Sequence, residues 1–357
     1  MRKSFTVKTA TVEAVRGIDL TVADGEIFGL LGPNGAGKTT TLRILTTLLE
    51  ADDGLALVAG ADVRRDPALV RRRIGYVGQR GGADGAATGR ENLLLAGRLY
   101  GLSAAATRAR CAELLDVLDL ASIAGRAVLT YSGGQRRRLE VALGIMHRPS
   151  VLFLDEPTTG LDPQNRANLW RQLRGLRASG TTIVITTHYL DEADQLCDQV
   201  AIVDHGRVIA EGTPAGLKRR SAGGTITVAI DPGDLTGDPD PVPANAAPGR
   251  ADRPDLVREL GRLPHVTAAR GAGDGTVTLE ASDPTRAMAA VFECLGSRGV
   301  TVRAASLAQP SLDDVFLRET GRSLRDADPG GPGPDGTGPN VTGPGGADSS
   351  GTGRAAA

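Results

Sequence analysis

The stretch Gly32-Pro33-Asn34-Gly35-Ala36-Gly37-Lys38-Thr39 constrains this chain more than any other. It follows an apolar run, Ile27-Phe28-Gly29-Leu30-Leu31, and opens a helical pattern from Lys38 to Leu49. The glycines let the backbone turn tightly, so that successive N–H groups can face one anion. The positive end of the following helix adds to the attraction. Strand, loop and helix in that order form a phosphate-binding unit whose candidate ligands are Gly32, Pro33, Asn34, Gly35, Ala36, Gly37, Lys38, Thr39 and Thr40. Lys38 is placed to reach the β- and γ-phosphates of a nucleotide, and the Thr39 hydroxyl to bind Mg²⁺.

The surrounding pattern predicts an α/β fold for residues 1–220. Val151–Leu154 and Thr182–Thr186 are continuous apolar runs of the length expected for central parallel strands. A helical pattern from Pro163 to Ala178 stops at Gly180, and Ala201–Ala210 reads as a hairpin turning at His205-Gly206. Residues 90–148 contain no strand candidate and predict an inserted helical lobe packed through Leu93, Leu94, Leu114, Leu115, Val117 and Leu118. A Pro/Gly/Asp-rich linker, Asp231–Pro254, leads into a small accessory α/β domain within 221–324. Its predicted strands are Val277–Leu279 and Val300–Val302, and its helices Pro284–Leu295 and Ser311–Thr320. The Gly/Pro-rich tail, 325–357, has too little apolar surface to offset its ordering entropy and is expected to be disordered.

Other polar residues fall at strand and helix ends. Asp155 closes an apolar strand, where its carboxylate can hold Mg²⁺, and Glu156 follows where a base can orient an attacking water. Gln79 follows the short strand Ile74–Gly78 and is a candidate γ-phosphate sensor. His188 follows the strand Thr182–Thr187 and can donate to developing charge on a phosphate. Ser132-Gly133-Gly134-Gln135 precedes a helix from about Arg136 to Met146 and presents a hydroxyl and bare N–H groups, a second anion site.

Composition narrows the partners. A net charge of −1 argues against a nucleic-acid partner. Three scattered cysteines (Cys111, Cys197, Cys294) fit free thiols in a reducing compartment. The first ten residues lack a signal-peptide apolar stretch, and no run approaches the ~18 apolar residues of a membrane span. Any membrane role therefore needs spans from another chain.

Phosphate loop (32–39), Gln79, the string Tyr131–Gln135, the acidic strand end 151–156, Gly160-Leu161-Asp162 and His188, in this order, resemble the ABC ATPase family over about residues 5–220. Within it, Glu91-Asn92-Leu93, Tyr189–Asp194, Asp204–Gly212 and Ser311–Leu317 are similar to the daunorubicin/doxorubicin-resistance type of ATP-binding protein. The resemblance implies a P-loop ABC ATPase core that binds ATP, with Mg²⁺ among Thr39, Gln79 and Asp155. It implies Glu156, His188 and Gln79 as catalytic, Asp162 as the D-loop acid, and Ser132, Gly133, Gly134 and Gln135 acting in trans. The implied assembly is a head-to-tail homodimer on a separate integral membrane permease, on the cytoplasmic side of the cell membrane, exporting a hydrophobic natural product. A non-transport relative acting on ribosomes or DNA is the alternative. One phosphate loop and one signature, with no coiled-coil insertion between 90 and 131, disfavour it. Two departures stand out. The aromatic that usually stacks on adenine is missing from Val7–Val12, leaving Phe5 as substitute, and Tyr131 replaces the commoner Leu.

Overall fold

The computed structural model describes residues 1–7, 10–79, 81–220, 223–230, 254–272, 275–308 and 310–324. Most of the linker and the whole of the tail lie outside them. The chain opens with an antiparallel pair, β1 (Arg2–Val7) and β2 (Ala10–Arg16). Next come β3 (Ile27–Leu31) and α1 (Lys38–Leu45), a short hairpin β4 (Leu57–Val58) and β5 (Ala61–Asp62), then α2 (Pro67–Arg73) and β6 (Ile74–Val77). The lobe holds α3 (Gly89–Leu99), α4 (Ala104–Val117) and α5 (Gly133–Gly144). The core resumes with β7 (Val151–Asp155), α6 (Pro163–Ala178), β8 (Thr182–Thr187), α7 (Leu190–Leu196), β9 (Gln199–Asp204), β10 (Arg207–Gly212) and α8 (Pro214–Arg220).

The central sheet runs β10-β9-β3-β8-β7-β6, parallel except for the β9–β10 hairpin. Its three middle strands are buried along their whole length, as apolar runs covered on both faces should be. Parallel strands leave their C-terminal ends on one edge, so the loops after β3, β6, β7 and β8 share that edge. Helix α1 is shorter than its pattern suggests. It ends at Leu45 because Thr47 takes a left-handed φ of 62°.

Each lobe helix begins on a side-chain cap: Thr88, Ser103 and Ser132. Leu93, Leu114, Leu115 and Leu118 are buried as expected, Leu94 is partly buried, and Val117 faces solvent at 51% exposure. Burial continues from the lobe into the core through Leu139, Val141 and Leu152, so lobe and sheet share one apolar interior.

The C-terminal elements are β11 (Gly224–Ile230), α9 (Pro254–Leu260), β12 (Val266–Ala272), β13 (Thr276–Ala281), α10 (Pro284–Ser297), β14 (Val302–Ala308) and α11 (Leu312–Thr320). The last strand starts at Val302, two residues later than read from sequence, after a left-handed Gly299 and a buried Val300. The antiparallel sheet β12-β13-β11-β14 carries its own core, in which Ile226, Val228 and Leu279 meet Val291 and Leu295 of α10. Helix α11 packs elsewhere. It lies on α8 and α7, and Leu312, Val315 and Phe316 join the apolar interior of the first unit.

Candidate functional site

The loop between β3 and α1 sits against the β9–β10 turn. The Gly206 N–H donates to the Ala36 carbonyl at 2.9 Å. Gly37 has φ 102°, and a Cβ there would lie 2.3 Å from the Ala14 carbonyl, so only glycine fits this close approach. Lys38 is buried, and its Nζ donates to the carbonyls of Gly32 (2.6 Å) and Pro33 (3.0 Å). Its amine is thereby held over the mouth of the loop.

Beside it, Thr39 Oγ1 donates to Asp155 Oδ1 at 3.0 Å, and Thr186 Oγ1 donates to the same oxygen at 2.6 Å. Asp155 is fully buried at the C-terminal end of β7. A hydroxyl and a carboxylate oxygen converging next to a phosphate loop are hard oxygen donors, a set that fits Mg²⁺.

Glu156 turns out of β7 with a left-handed φ of 46°, a backbone state that few non-glycine residues adopt. The turn is held by Thr186, whose Oγ1 accepts from the Glu156 N–H at 3.0 Å. It aims the carboxylate at His188, whose Nδ1 is 3.5 Å from Oε1, while Thr159 Oγ1 donates to Oε2 at 3.2 Å. The His188 imidazole at this distance is the largest influence on Glu156. It outweighs burial and holds the carboxyl below the usual glutamate range, with Lys38 and Thr159 adding to the effect. Such a carboxylate is a weak base, better suited to orienting and polarising water than to carrying off its proton outright.

Gln79 is exposed just past β6. It borders a cleft of about 400 Å³ together with Phe5, Asn34, Lys38, Thr39 and Glu156. Phe5, on β1, is the aromatic in the lining of that cleft. Lys8 and Thr9, in the stretch without an aromatic, lie outside the described residues.

The signature string stands on the lobe. Ser132 caps α5, its Oγ accepting from the Gln135 N–H (3.3 Å), while Gln135 Oε1 accepts from the Ser132 N–H (2.9 Å). Ser132 and Gly133 are exposed and Gly134 is buried. A Cβ on Gly134 would come within 2.3 Å of Asn165 Oδ1. Asn165 is fastened to Asp162, the N-cap of α6, through Asn165 N–H to Oδ1 (2.9 Å) and Nδ2 to Oδ2 (2.6 Å). The string and Asp162 are therefore one packed surface. Tyr131 has its own reason to be Tyr: its ring is buried and its hydroxyl donates to the Ile123 carbonyl at 2.8 Å. Leu could fill the space but would lose that anchor.

The structure thus gathers Lys38, Thr39, Asp155, Glu156 and His188 around one sheet edge, places Gln79 on its rim, and sets Ser132–Gln135 at the start of α5 beside Asp162, with Gly133, Gln79 and Glu156 lining one cleft of about 270 Å³. Sequence reading passed over Thr186, Asn165 and Arg137. Each is of a type common on surfaces, and only the fold shows what it holds.

A sheet-edge phosphate loop, an acidic strand end and a lobe with a glycine-led helix define a nucleotide-hydrolysing cassette. The family model described as ABC transporter matches residues 15–159. The daunorubicin/doxorubicin resistance ATP-binding protein DrrA of Streptomyces peucetius is 46% identical over 314 residues, covering 88% of this chain and 89% of that protein. The Nod factor export ATP-binding protein I of Paraburkholderia xenovorans is 40% identical, over 91% and 97%. A dimeric ATP-binding cassette solved in a post-hydrolysis state with ADP and Pi superposes with a TM-score of 0.55 at 26% identity, covering 59% of this chain and 95% of that one. The chain belongs to the ABC transporter family as an ATP-binding subunit, and is an ATPase.

Proposed function

We propose that this chain powers the export of a hydrophobic, drug-like compound through a separate integral membrane permease, working as a homodimer on the cytoplasmic face of the cell membrane. The observation that carries the ATPase half is the convergence of Glu156, His188, Thr39 and Asp155 beside the phosphate loop. In this reading the triphosphate lies on the N–H groups of residues 34–40, with Lys38 at the β- and γ-phosphates. Thr39, Asp155 and Gln79 hold Mg²⁺, which supplies charge neutralisation to the phosphates when bound. Glu156 orients the attacking water, and His188 donates toward the γ-phosphate as charge develops. Phe5 offers its ring to adenine. Ser132–Gln135 close on the nucleotide of the other subunit, an isologous arrangement in which each chain completes its partner's site.

The transport half is supported by the relatives' roles in drug resistance and Nod factor export. A surface feature supports it too. A groove of about 920 Å³ runs between lobe and core beside Gln79, with Glu140 on its wall and Leu95, Leu99 and Tyr100 along the lobe side. Leu95 and Leu99 are 56% and 78% exposed, which suits an apolar cytoplasmic loop of a permease. No helix among the described residues is long and apolar enough to cross a membrane, so in this reading the spans come from that second chain.

The test uses inverted membrane vesicles holding this chain with the polytopic protein encoded beside it, loaded with fluorescent doxorubicin and Mg-ATP. ATP-dependent accumulation that Glu156→Gln abolishes is expected. Equal accumulation with and without functional Glu156 would sink the export reading.

A further inference from the structure

Arg136-Arg137-Arg138 looks in sequence like a basic, solvated helix face. The structure separates the three. Arg136 is exposed, whereas Arg137, two residues beyond the signature, is 7% exposed. Its Nη1 donates to the Gly78 carbonyl (2.8 Å), its Nη2 to the Asp155 carbonyl (2.9 Å) and its Nε to the Pro157 carbonyl (2.9 Å). Nη1 also meets Glu140 Oε2 at 2.9 Å, one turn further along α5. Glu140 is buried in turn, and its carboxylate fills the space a side chain at Gly81 would need.

Those three carbonyls are not ordinary neighbours. Gly78 directly precedes Gln79, and Asp155 and Pro157 flank Glu156. One guanidinium therefore ties the helix that begins at Ser132 to both segments that face the γ-phosphate position. A planar fork with fixed donors can span three carbonyls, whereas a lysine ammonium is a point charge that cannot. A buried, charge-assisted hub of this kind transmits displacement, because its members lose partners if one segment moves alone.

We propose that Arg137 is a positioning residue that couples nucleotide occupancy of the phosphate loop to the signature of the same chain. The coupling's role between sites rests on the reading that the signature closes on the partner's ATP. Under that reading, Arg137 links the two ATP sites of the dimer, since its own Glu156 serves one and its own Ser132 the other.

Hydrogen exchange on the full chain, in the hydrolysis-blocked Glu156→Gln background, tests this with and without Mg-ATP. ATP should slow the amides of residues 32–40, 78–82 and 133–136 together, by about tenfold or more. Adding Arg137→Lys should keep the protection at 32–40 and lose it at 133–136. Protection at 133–136 that survives Arg137→Lys overturns the proposal. Where Arg137→Lys also strips protection from 32–40, the paired change Arg137→Gln with Glu140→Gln removes both buried charges and is read the same way. Loss at both segments in that variant too overturns the proposal in favour of a purely structural role. Light scattering on the same samples keeps the two ideas apart. A Glu156→Gln chain that stays monomeric with ATP counts against the sandwich, while the in-chain exchange pattern still decides the role of Arg137.

Discussion

At the scale of single residues, Lys38 and Glu156 separate binding from chemistry. Lys38→Ala removes a charged donor from the triphosphate, at a cost of about 1.5–3 kcal/mol, so the ATP Kd should rise roughly 10- to 150-fold. Glu156→Gln keeps shape and hydrogen bonding and should leave the Kd near that of the parent, while kcat falls by about 10²–10⁴. Equal loss of affinity in both, measured by titration with a fluorescent ATP analogue, would show that the roles are misassigned. The pH behaviour follows from the same contacts. His188 holds the Glu156 carboxyl below its usual range, so the folded value lies under the unfolded one. Its contribution to stability is present above the usual glutamate range and is lost only as pH falls through the lowered value. Glu192 behaves oppositely. It is fully buried on α7, accepts from Trp170 Nε1 at 3.1 Å, and burial pushes its carboxyl up. The native state then holds a proton that the unfolded state has released, so stability declines as pH rises from the usual glutamate range through the raised value. Glu192→Gln should flatten that decline. Urea unfolding followed by the fluorescence of Trp170, the single tryptophan, compares the two profiles across pH. Parallel slopes would refute the assignment.

At the scale of elements, the signature helix shows how two adjacent glycines differ. A Cβ on Gly133 would meet Leu161 Cδ2 at 3.8 Å, an ordinary contact, whereas one on Gly134 would strike Asn165. Gly134→Ala should therefore lower the thermal midpoint through overpacking of about 1–3 kcal/mol and disturb Asp162 through Asn165. Gly133→Ala should hold the midpoint or raise it slightly, yet depress turnover, because that residue faces outward. Calorimetry paired with ATPase rates checks this, and equal midpoints for the two variants would show that the packing is misjudged. The same element marks where sequence reading succeeds and fails. The central strands β3, β7 and β8 were legible as unbroken apolar runs, and the phosphate loop, Asp155, Glu156 and His188 as polar groups at their ends. The pair β1–β2 was not, since Lys8 and Thr9 carry no strong turn signal and β1 mixes polar with apolar residues. Arg137 was hidden by its two arginine neighbours, because charge alone does not reveal which member of a run turns inward. Tyr131 read as a neutral variation, since the carbonyl it needs belongs to Ile123, eight residues back on the lobe.

At the scale of the whole molecule, the C-terminal region divides its loyalties. Periodicity shows that α11 has an apolar face but not which interior receives it. The structure puts Phe316, fully buried, into the interior that holds the lobe and the central sheet, while Leu295 of α10 belongs to the separate core of the C-terminal sheet. Residues 322–324, which follow α11, are fastened there by polar contacts as well. Ser323 Oγ and the Leu324 N–H donate to Asp313, and Arg322 Nη2 donates to both oxygens of the buried Asp204, at 2.9 and 3.0 Å. Asp204 leads into the His205-Gly206 turn that backs Ala36 of the phosphate loop. The turn at Arg322–Leu324 thus braces the nucleotide site from behind, across 118 residues of sequence. Phe316→Ala and Leu295→Ala remove comparable apolar bulk, each costing about 2–5 kcal/mol. They should not be equivalent. Trp170 lies in the same interior as Phe316, so Phe316→Ala should lower the Trp170-detected unfolding midpoint, and Leu295→Ala should leave it in place while loosening hydrogen exchange in β11 and β13. Arg322→Ala should keep that midpoint closer to the parent than Phe316→Ala does, but weaken ATP binding, because Asp204 loses its partner at the turn behind Ala36. If Leu295→Ala lowers the Trp170 midpoint as far as Phe316→Ala, the two cores unfold as one. The C-terminal sheet would then be a stabilising part of the ATPase, with α11 no more than its last helix.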